Sequence, residues 1–233
     1  MSRMKNSRDL REQTQVVAAV HSPGALLCAQ KIRPGEVDLL EIRVDNFATN
    51  PNSLLKALPK LRVPLIVTVR HPAEGGANDL SFARRRELYG RFLPHAAFID
   101  LELRSLEKLA DVVAAARRAG VRVIASTHHF RSTPPTENLQ RAIRRANAAG
   151  ADICKLAARA ETAGNLGRLL ALLGRPQPLP LSVMGMGRFG KISRLLLAQA
   201  GSVLNYGYLD RPNASGQWEA RLLKLRLAEL AAA

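Results

Sequence analysis

The sequence predicts an α/β protein, a (β/α)8 (TIM) barrel in a single domain, and three observations lead there. Short β-branched runs alternate with longer amphipathic stretches along the chain, which is the pattern of βα units around a parallel sheet. The alternation repeats eight times. A length of 233 residues suits one large domain, and barrels of about 250 residues are common at that size. An open doubly wound sheet would carry a Gly-rich phosphate turn after its first strand. His21-Ser22-Pro23-Gly24 stands there instead.

Taken in order, strands are expected at 16–20 (VVAAV), 37–44 (VDLLEIRV), 64–70 (PLIVTVR), 97–103 (AFIDLEL), 121–127 (VRVIAST), 151–157 (ADICKLA), 179–185 (LPLSVMG) and 202–207 (SVLNYG). Each is a short apolar or alternating run, as a strand covered by helices should be. Helices are expected at 51–60, 80–93, 105–119, 136–149, 162–173, 189–199 and 216–231; the segment after the first strand gives the weakest signal. Asn50-Pro51 offers an N-cap with proline in the first turn, and Ser105 and Thr136 are candidate caps for the helices at 105–119 and 136–149. Gly120, Gly150 and Gly174 are placed to end helices in the left-handed conformation. Residues 1–15 read as a partly ordered extension. With no repeat or linker to divide it, the chain from 1 to 233 reads as one catalytic domain.

Composition narrows the function classes. Hydrophobic residues make up 47% and charged residues 23%, an ordinary balance for a soluble globular protein. No run reaches the roughly 20 apolar residues of a membrane span. The start, MSRMKNSRDLREQTQ, is basic but has no apolar stretch behind it, so a secretory signal is not expected and a cytoplasmic location is. Cys28 and Cys154 lack partners at metal-ligand spacing, so neither a disulfide framework nor a metal site is expected. The net charge of +16 would suit nucleic acid. Yet 27 of the 35 cations are arginine, and several fall in runs on what read as outer helix faces: Arg84, Arg85 and Arg86; Arg117 and Arg118; Arg144 and Arg145. These are read as solvated faces, with no specific nucleic-acid partner.

In such barrels the chemistry sits at the C-terminal ends of the strands and in the loops beyond them. Strand two ends in Glu41-Ile42-Arg43; alternation puts Glu41 and Arg43 on one face, where an ion pair would point into the mouth. Strand three ends at Arg70, with Glu74 on a Gly-hinged loop. Strand five ends in His128-His129. Strand six carries Lys155 in an otherwise apolar run, where an idle lysine would cost several kcal/mol of desolvation. An amine crowded by other cations gives up its proton more readily and can attack a ketone near neutral pH. The resulting Schiff base withdraws electrons, so a neighbouring carbon can lose a proton to a base, for which His128 is placed one strand away. Arginines and a glutamine around the same mouth suit a small hydroxylated carboxylate, because guanidinium pairs with carboxylate in two-point geometry.

The series Glu41-x-Arg43, Arg70-x-x-x-Glu74-Gly-Gly, His128-x-Phe-x-x-Thr-Pro, Asp152-Ile-x-Lys155, Met186-Gly-x-x-Gly-x-x-Ser-Arg194 and Gly216-Gln217 resembles the type I 3-dehydroquinate dehydratases from about residue 16 to 230. The resemblance implies a metal-free and cofactor-free lyase, a homodimer in that family, acting on 3-dehydroquinate. Lys155 would form the imine at the C3 ketone, and His128 would move the C2 proton and help expel the C1 hydroxyl. Glu74 would orient His128. Arg194, Gln217 and Asn213 would meet the carboxylate, and Glu41, Arg43 and Arg70 the ring hydroxyls. Met186 and Tyr206 would be wall positions, and the loop 208–217 a lid. Three departures stand out: His129 follows the catalytic histidine where the family usually has aspartate, Asn213 stands where serine is expected, and Tyr206 where phenylalanine is usual. The first strand also lacks the usual serine near its end. The rival reading takes Met186-Gly-x-x-Gly as a phosphate-binding turn, which would make the chain a Schiff-base aldolase of a sugar phosphate. Cys154 should alternate onto the helix side as packing, and His129 should face away from His128.

Overall fold

The structure is a computed structural model and describes residues 14–232. It is a barrel of eight parallel strands, each followed by a helix: β1 (Gln15–Val20), α1 (Pro23–Ala29), β2 (Leu39–Arg43), α2 (Pro51–Ala57), β3 (Leu65–Thr68), α3 (Phe82–Phe92), β4 (Phe98–Glu102), α4 (Ala110–Arg118), β5 (Arg122–His129), α5 (Thr136–Ala148), β6 (Ile153–Arg159), α6 (Ala163–Leu173), β7 (Leu181–Met186), α7 (Gly190–Gln199), β8 (Leu204–Tyr208) and α8 (Ala220–Ala231). The segment after β1, the weakest in the sequence, is a seven-residue helix whose start is capped by the Ser22 hydroxyl. No helix among the described residues is long and apolar enough to cross a membrane. Of the expected extension at 1–15, residues 1–13 lie outside the described residues; Gln15 already belongs to β1.

Strand neighbours follow chain order, with β8 paired to β1. Closure between β7 and β8 is different in kind. One backbone bond, Val203 N to Leu181 O (2.9 Å), is joined by two serine hydroxyls: Ser182 Oγ donates to Leu204 O (2.7 Å), and Ser202 Oγ accepts from Val183 N (2.9 Å). Inward-facing side chains form levels. Val17, Leu39, Ile66, Phe98, Ile124 and Ile153 close the interior with one apolar cluster. Two residues further along each strand, where alternation returns the side chain to the interior, the set becomes Ala19, Glu41, Thr68, Asp100, Ser126 and Lys155. Outward positions pack under the helices, Cys154 among them with Leu139 and Ile143.

Some local expectations need correction. Asn50 caps α2 through Ser53 N, but Ser105 and Thr136 are not caps. Pro135 occupies the cap position of α5, and α4 begins only at Ala110. Ser105 is instead fully buried, because its hydroxyl bonds the side chains of Arg85 and Glu102. Gly120 and Gly150 are left-handed, at φ of 70° and 68°, whereas Gly174 ends α6 at φ of −74°. The arginine run at 84–86 is not one solvated face: Arg84 and Arg86 pair with Glu87 and Asp111 at the surface, while Arg85 is wholly buried.

Candidate active site

The polar level of the barrel is an ion cluster centred on Asp100. Its carboxylate accepts from Lys155 Nζ (2.9 Å), Arg70 Nη1 (2.9 Å) and Ser126 Oγ (2.6 Å). Glu41 lies 3.3 Å from Lys155 Nζ and 3.6 Å from Arg70 Nη2, and accepts from Thr68 Oγ1 at 3.0 Å. Glu102 takes Arg70 Nη1 (3.1 Å) on one oxygen and Arg85 Nη2 with Ser105 Oγ on the other. Three carboxylates thus meet three cations, all buried. Burial opposes the ionisation of Asp100, but Arg70 and Lys155 more than offset it and hold that carboxyl well below the usual range. Glu102 is treated the same way by Arg70 and Arg85 and lies below its ordinary value.

Two expectations change here. The charged groups bonded to Lys155 are carboxylates, not the surrounding arginines. The Glu41–Arg43 ion pair does not form, because Arg43 turns to Asp45 (2.7 Å) and to the carbonyl of Gly75 (2.9 Å). That second contact ties β2 to the loop carrying Glu74. The loop folds as a short 3-10 turn over Pro72–Glu74 ended by Gly75 at φ of 82°, a left-handed position that suits glycine.

Glu74 and His128 form a pair. Glu74 Oε2 accepts the backbone N–H of His128 and lies 3.0 Å from its ring Nδ1. A carboxylate on Nδ1 leaves Nε2 as the free, proton-accepting nitrogen. Burial, followed by the positive charges of Arg70 and Lys155, pushes the His128 imidazole well below its ordinary value. Burial raises Glu74 to about 7. Both shifts disfavour a fully separated charge pair, and both come mainly from loss of water. His128 sits one inward position above Lys155 on the neighbouring strand, since Ser126 pairs with Lys155 and His128 with Ala157. Phe130 stacks beside His128, with ring centroids 6.2 Å apart. His129 faces outward, 3.3 Å from Thr127 Oγ1, into a groove lined by Arg104, Arg141 and Arg145.

The opposite wall comes from β7, β8 and the loop after β8. Arg194, on α7, is buried; it donates to the carbonyls of Tyr206, Gly185, Gly190 and Gly216 and has no ion pair among the described residues. Burial alone lowers this guanidinium to about 10. Its contact with Gly216 depends on a close approach of loop and helix: a Cβ on Gly190 would sit 2.7 Å from the Gly216 Cα. Gln217 Oε1 accepts the amides of Asn213 and Ala214, which shapes the loop and leaves the amide nitrogen of Gln217 free to donate. The loop is further pinned where Ser22 Oγ donates to Asp210 (2.6 Å). Met186 and Tyr206 are buried wall residues, with the Tyr206 ring 3.8 Å from Lys155 Nζ.

All eleven candidate residues, Glu41, Arg43, Arg70, Glu74, His128, Lys155, Met186, Arg194, Tyr206, Asn213 and Gln217, line one cavity of about 140 Å³. A larger groove of about 550 Å³ lies at the other end of the barrel around Thr14, Asp38 and Lys224, with none of these groups. The amides of the Met186-Gly-x-x-Gly turn are already used: Gly187 N by Ser215, Arg188 N by Glu161 and Phe189 N by Ala160. That occupancy disfavours a phosphate cradle. Among the described residues no group of three or more His, Cys, Asp or Glu could hold a metal. Sequence reasoning missed Asp45, Arg85, Asp100, Glu102, Ser126 and Met184. The signal for two of them was present: AFIDLEL puts Asp100 and Glu102 on one face of a buried strand, the same anomaly that singled out Lys155.

Comparison with known proteins identifies the family and the fold. The family model for type I 3-dehydroquinase matches residues 17–231. The 3-dehydroquinate dehydratase of Pyrococcus abyssi is 35% identical over 199 residues, covering 85% of this chain and 90% of the relative; that of Hydrogenobaculum sp. is 32% identical over 200 residues, covering 84% and 90%. Among solved structures, the 3-dehydroquinate dehydratase of Geobacillus kaustophilus superposes with a TM-score of 0.84 at 28% identity, covering 94% of this chain and 92% of that one. The type I enzyme of Clostridium difficile, solved with covalently modified comenic acid, gives 0.85 at 26% identity, covering 94% and 93%. The chain belongs to the type I 3-dehydroquinase family.

Proposed function

We propose that this protein dehydrates 3-dehydroquinate to 3-dehydroshikimate through a Schiff base on Lys155. The observation that carries the reading is the placement of a buried lysine amine in one small cavity with a histidine–carboxylate pair and an arginine that has no anionic partner among the described residues. The Lys155 amine adds to the C3 carbonyl, and loss of water from the carbinolamine gives the imine. His128 Nε2 then takes a proton from C2, and the electron pair moves toward the imine nitrogen to form an enamine. The same histidine returns a proton to the C1 hydroxyl, which leaves as water, and hydrolysis of the imine frees product and lysine. Glu74 orients the ring throughout. Arg194 and the amide of Gln217 suit the C1 carboxylate, with Asn213 at the rim, while Glu41, Arg43 and Arg70 line the side of the ring hydroxyls. Met186 and Tyr206 wall the ring, and the loop after β8 excludes water. One catalytic domain, a cytoplasmic location and a homodimer belong to the same reading through the family.

The test is to incubate the protein with 3-dehydroquinate and borohydride and locate the reduced adduct by mass spectrometry. The adduct is expected on Lys155 and absent in Lys155→Ala, which has no turnover. His128→Ala still forms the imine but stalls at proton transfer. An adduct with a sugar phosphate and none with 3-dehydroquinate would overturn the reading in favour of the aldolase.

A further inference from the structure

The cavity contains one buried polar group that no described residue satisfies. Tyr206 is 4% exposed, and its hydroxyl is shut off from solvent with no hydrogen-bond partner among the described residues. The five other buried atoms in that condition, Gln15 Oε1, His21 Nδ1, Asn46 Oδ1, Glu161 Oε1 and Asn205 Oδ1, all belong to residues outside this cavity. A hydroxyl buried without a bond weakens a fold, whereas a phenylalanine ring fills the same space without that penalty. The rest of Tyr206 is fully explained by packing: its ring contacts the apolar interior beside Met184 and Met186, and its carbonyl receives Arg194 Nε. Only the oxygen has no partner among the described residues. Tyr206 lines the cavity across from the ion cluster, with the Lys155 amine 3.8 Å from its ring centroid. Burial, and then the carboxylates of Glu41 and Asp100, push the phenol well above its ordinary value, so it is a neutral donor rather than an anion.

We propose that Tyr206 is a specificity-determining residue whose hydroxyl donates a hydrogen bond to a substrate oxygen on the carbon next to the imine-forming ketone. The site then prefers a ring ketone flanked by a hydroxyl over one flanked on both sides by methylene. A pocket that holds a donor for a substrate hydroxyl rejects the analogue lacking it, because the pocket's own polar group stays unbonded. The proposal rests on the reading of Lys155 as the imine-forming residue and names what selects the substrate there.

The test compares the wild type with Tyr206→Phe on 3-dehydroquinate and on its 4-deoxy analogue. The expected result is a fall of about tenfold in kcat/KM for 3-dehydroquinate, the size of one hydrogen bond, and no difference between the proteins on the analogue. Thermal unfolding without ligand should show Tyr206→Phe at least as stable as the wild type, and borohydride should trap Lys155 in both. Equal kcat/KM on 3-dehydroquinate, or an equal fall on both substrates, would overturn the proposal. A wild type that forms no Lys155 adduct would bring down the imine reading itself, and the proposal with it.

Discussion

The two sides of the barrel mouth handle charge in opposite ways. Around β2 to β6, Glu41, Asp100 and Glu102 interlock with Arg70, Lys155 and, from α3, Arg85, and Thr68, Ser126 and Ser105 take up remaining bonds. On the side of β7 and β8, Arg194 is buried against four carbonyl oxygens and, among the described residues, no acid. A buried ion pair is costly to break, because the surviving partner has no water to turn to. A buried cation facing only neutral acceptors keeps its charge for an incoming anion. Under the proposed function, the first side would fix geometry before substrate arrives, and the second would supply attraction when it does.

The contrast is broken most severely at Asp100. Asp100→Ala leaves three buried cations facing only two carboxylates, one positive charge uncompensated, so urea unfolding should show a loss of about 3–5 kcal/mol. On the other side, Arg194→Met strands no charge, and its stability loss should be clearly smaller. Its cost should appear in steady-state kinetics as a rise in KM of roughly 10- to 150-fold, corresponding to about 1.5–3 kcal/mol for bonds to a charged group, with kcat much less affected. A KM effect in Asp100→Ala larger than in Arg194→Met would reverse the assignment of the two sides.

Between the sides lies the Glu74–His128 pair, where pH sharpens the comparison. Glu74 titrates at about 7 in the fold against an ordinary 4.5, so the native state holds a proton that the unfolded chain has lost. Its contribution to stability falls as pH rises from about 4.5 to 7, by at most about 1.4 kcal/mol per pH unit. His128 has the opposite sign: its value is lowered, so its contribution grows as pH rises toward 6.5. Glu74→Gln removes the first effect, and its unfolding free energy should climb more steeply with pH up to 6.5 than that of the wild type. The smallest effect belongs to His129→Asp. That ring faces the outer groove rather than the cavity, so kcat measured across pH should stay within about threefold of wild type.

The barrel and the placing of Lys155 and His128 in its mouth were legible because each rests on a local anomaly. Eight alternations set the fold, and a lysine in an apolar strand or a histidine at a strand end stands out without knowledge of its neighbours. The ion cluster was not legible, because its partners meet through register. Thr68 faces Asp100 and Ser126 faces Lys155 only once the strands are aligned, and no run of sequence states that alignment. The same gap explains the Glu41–Arg43 error: both residues do share a face, but Asp45, two positions on, reaches Arg43 first. Ser105 misled for a related reason. Its hydroxyl could cap a helix or join a buried arginine, and the tertiary partner prevailed.

The seam between β7 and β8, held by one backbone bond and two serine hydroxyls, bears on how the barrel breathes. Local opening starts where protective backbone bonds are fewest, and here that line runs beside Met184 and Met186 on one strand and Tyr206 on the other. Parting the seam would widen the cavity from its apolar flank while the ion cluster on β2–β4 stayed closed. The apolar flank of the cavity thus rests on the part of the sheet with the fewest backbone bonds, and the amine of Lys155 on a strand with a complete ladder to either side.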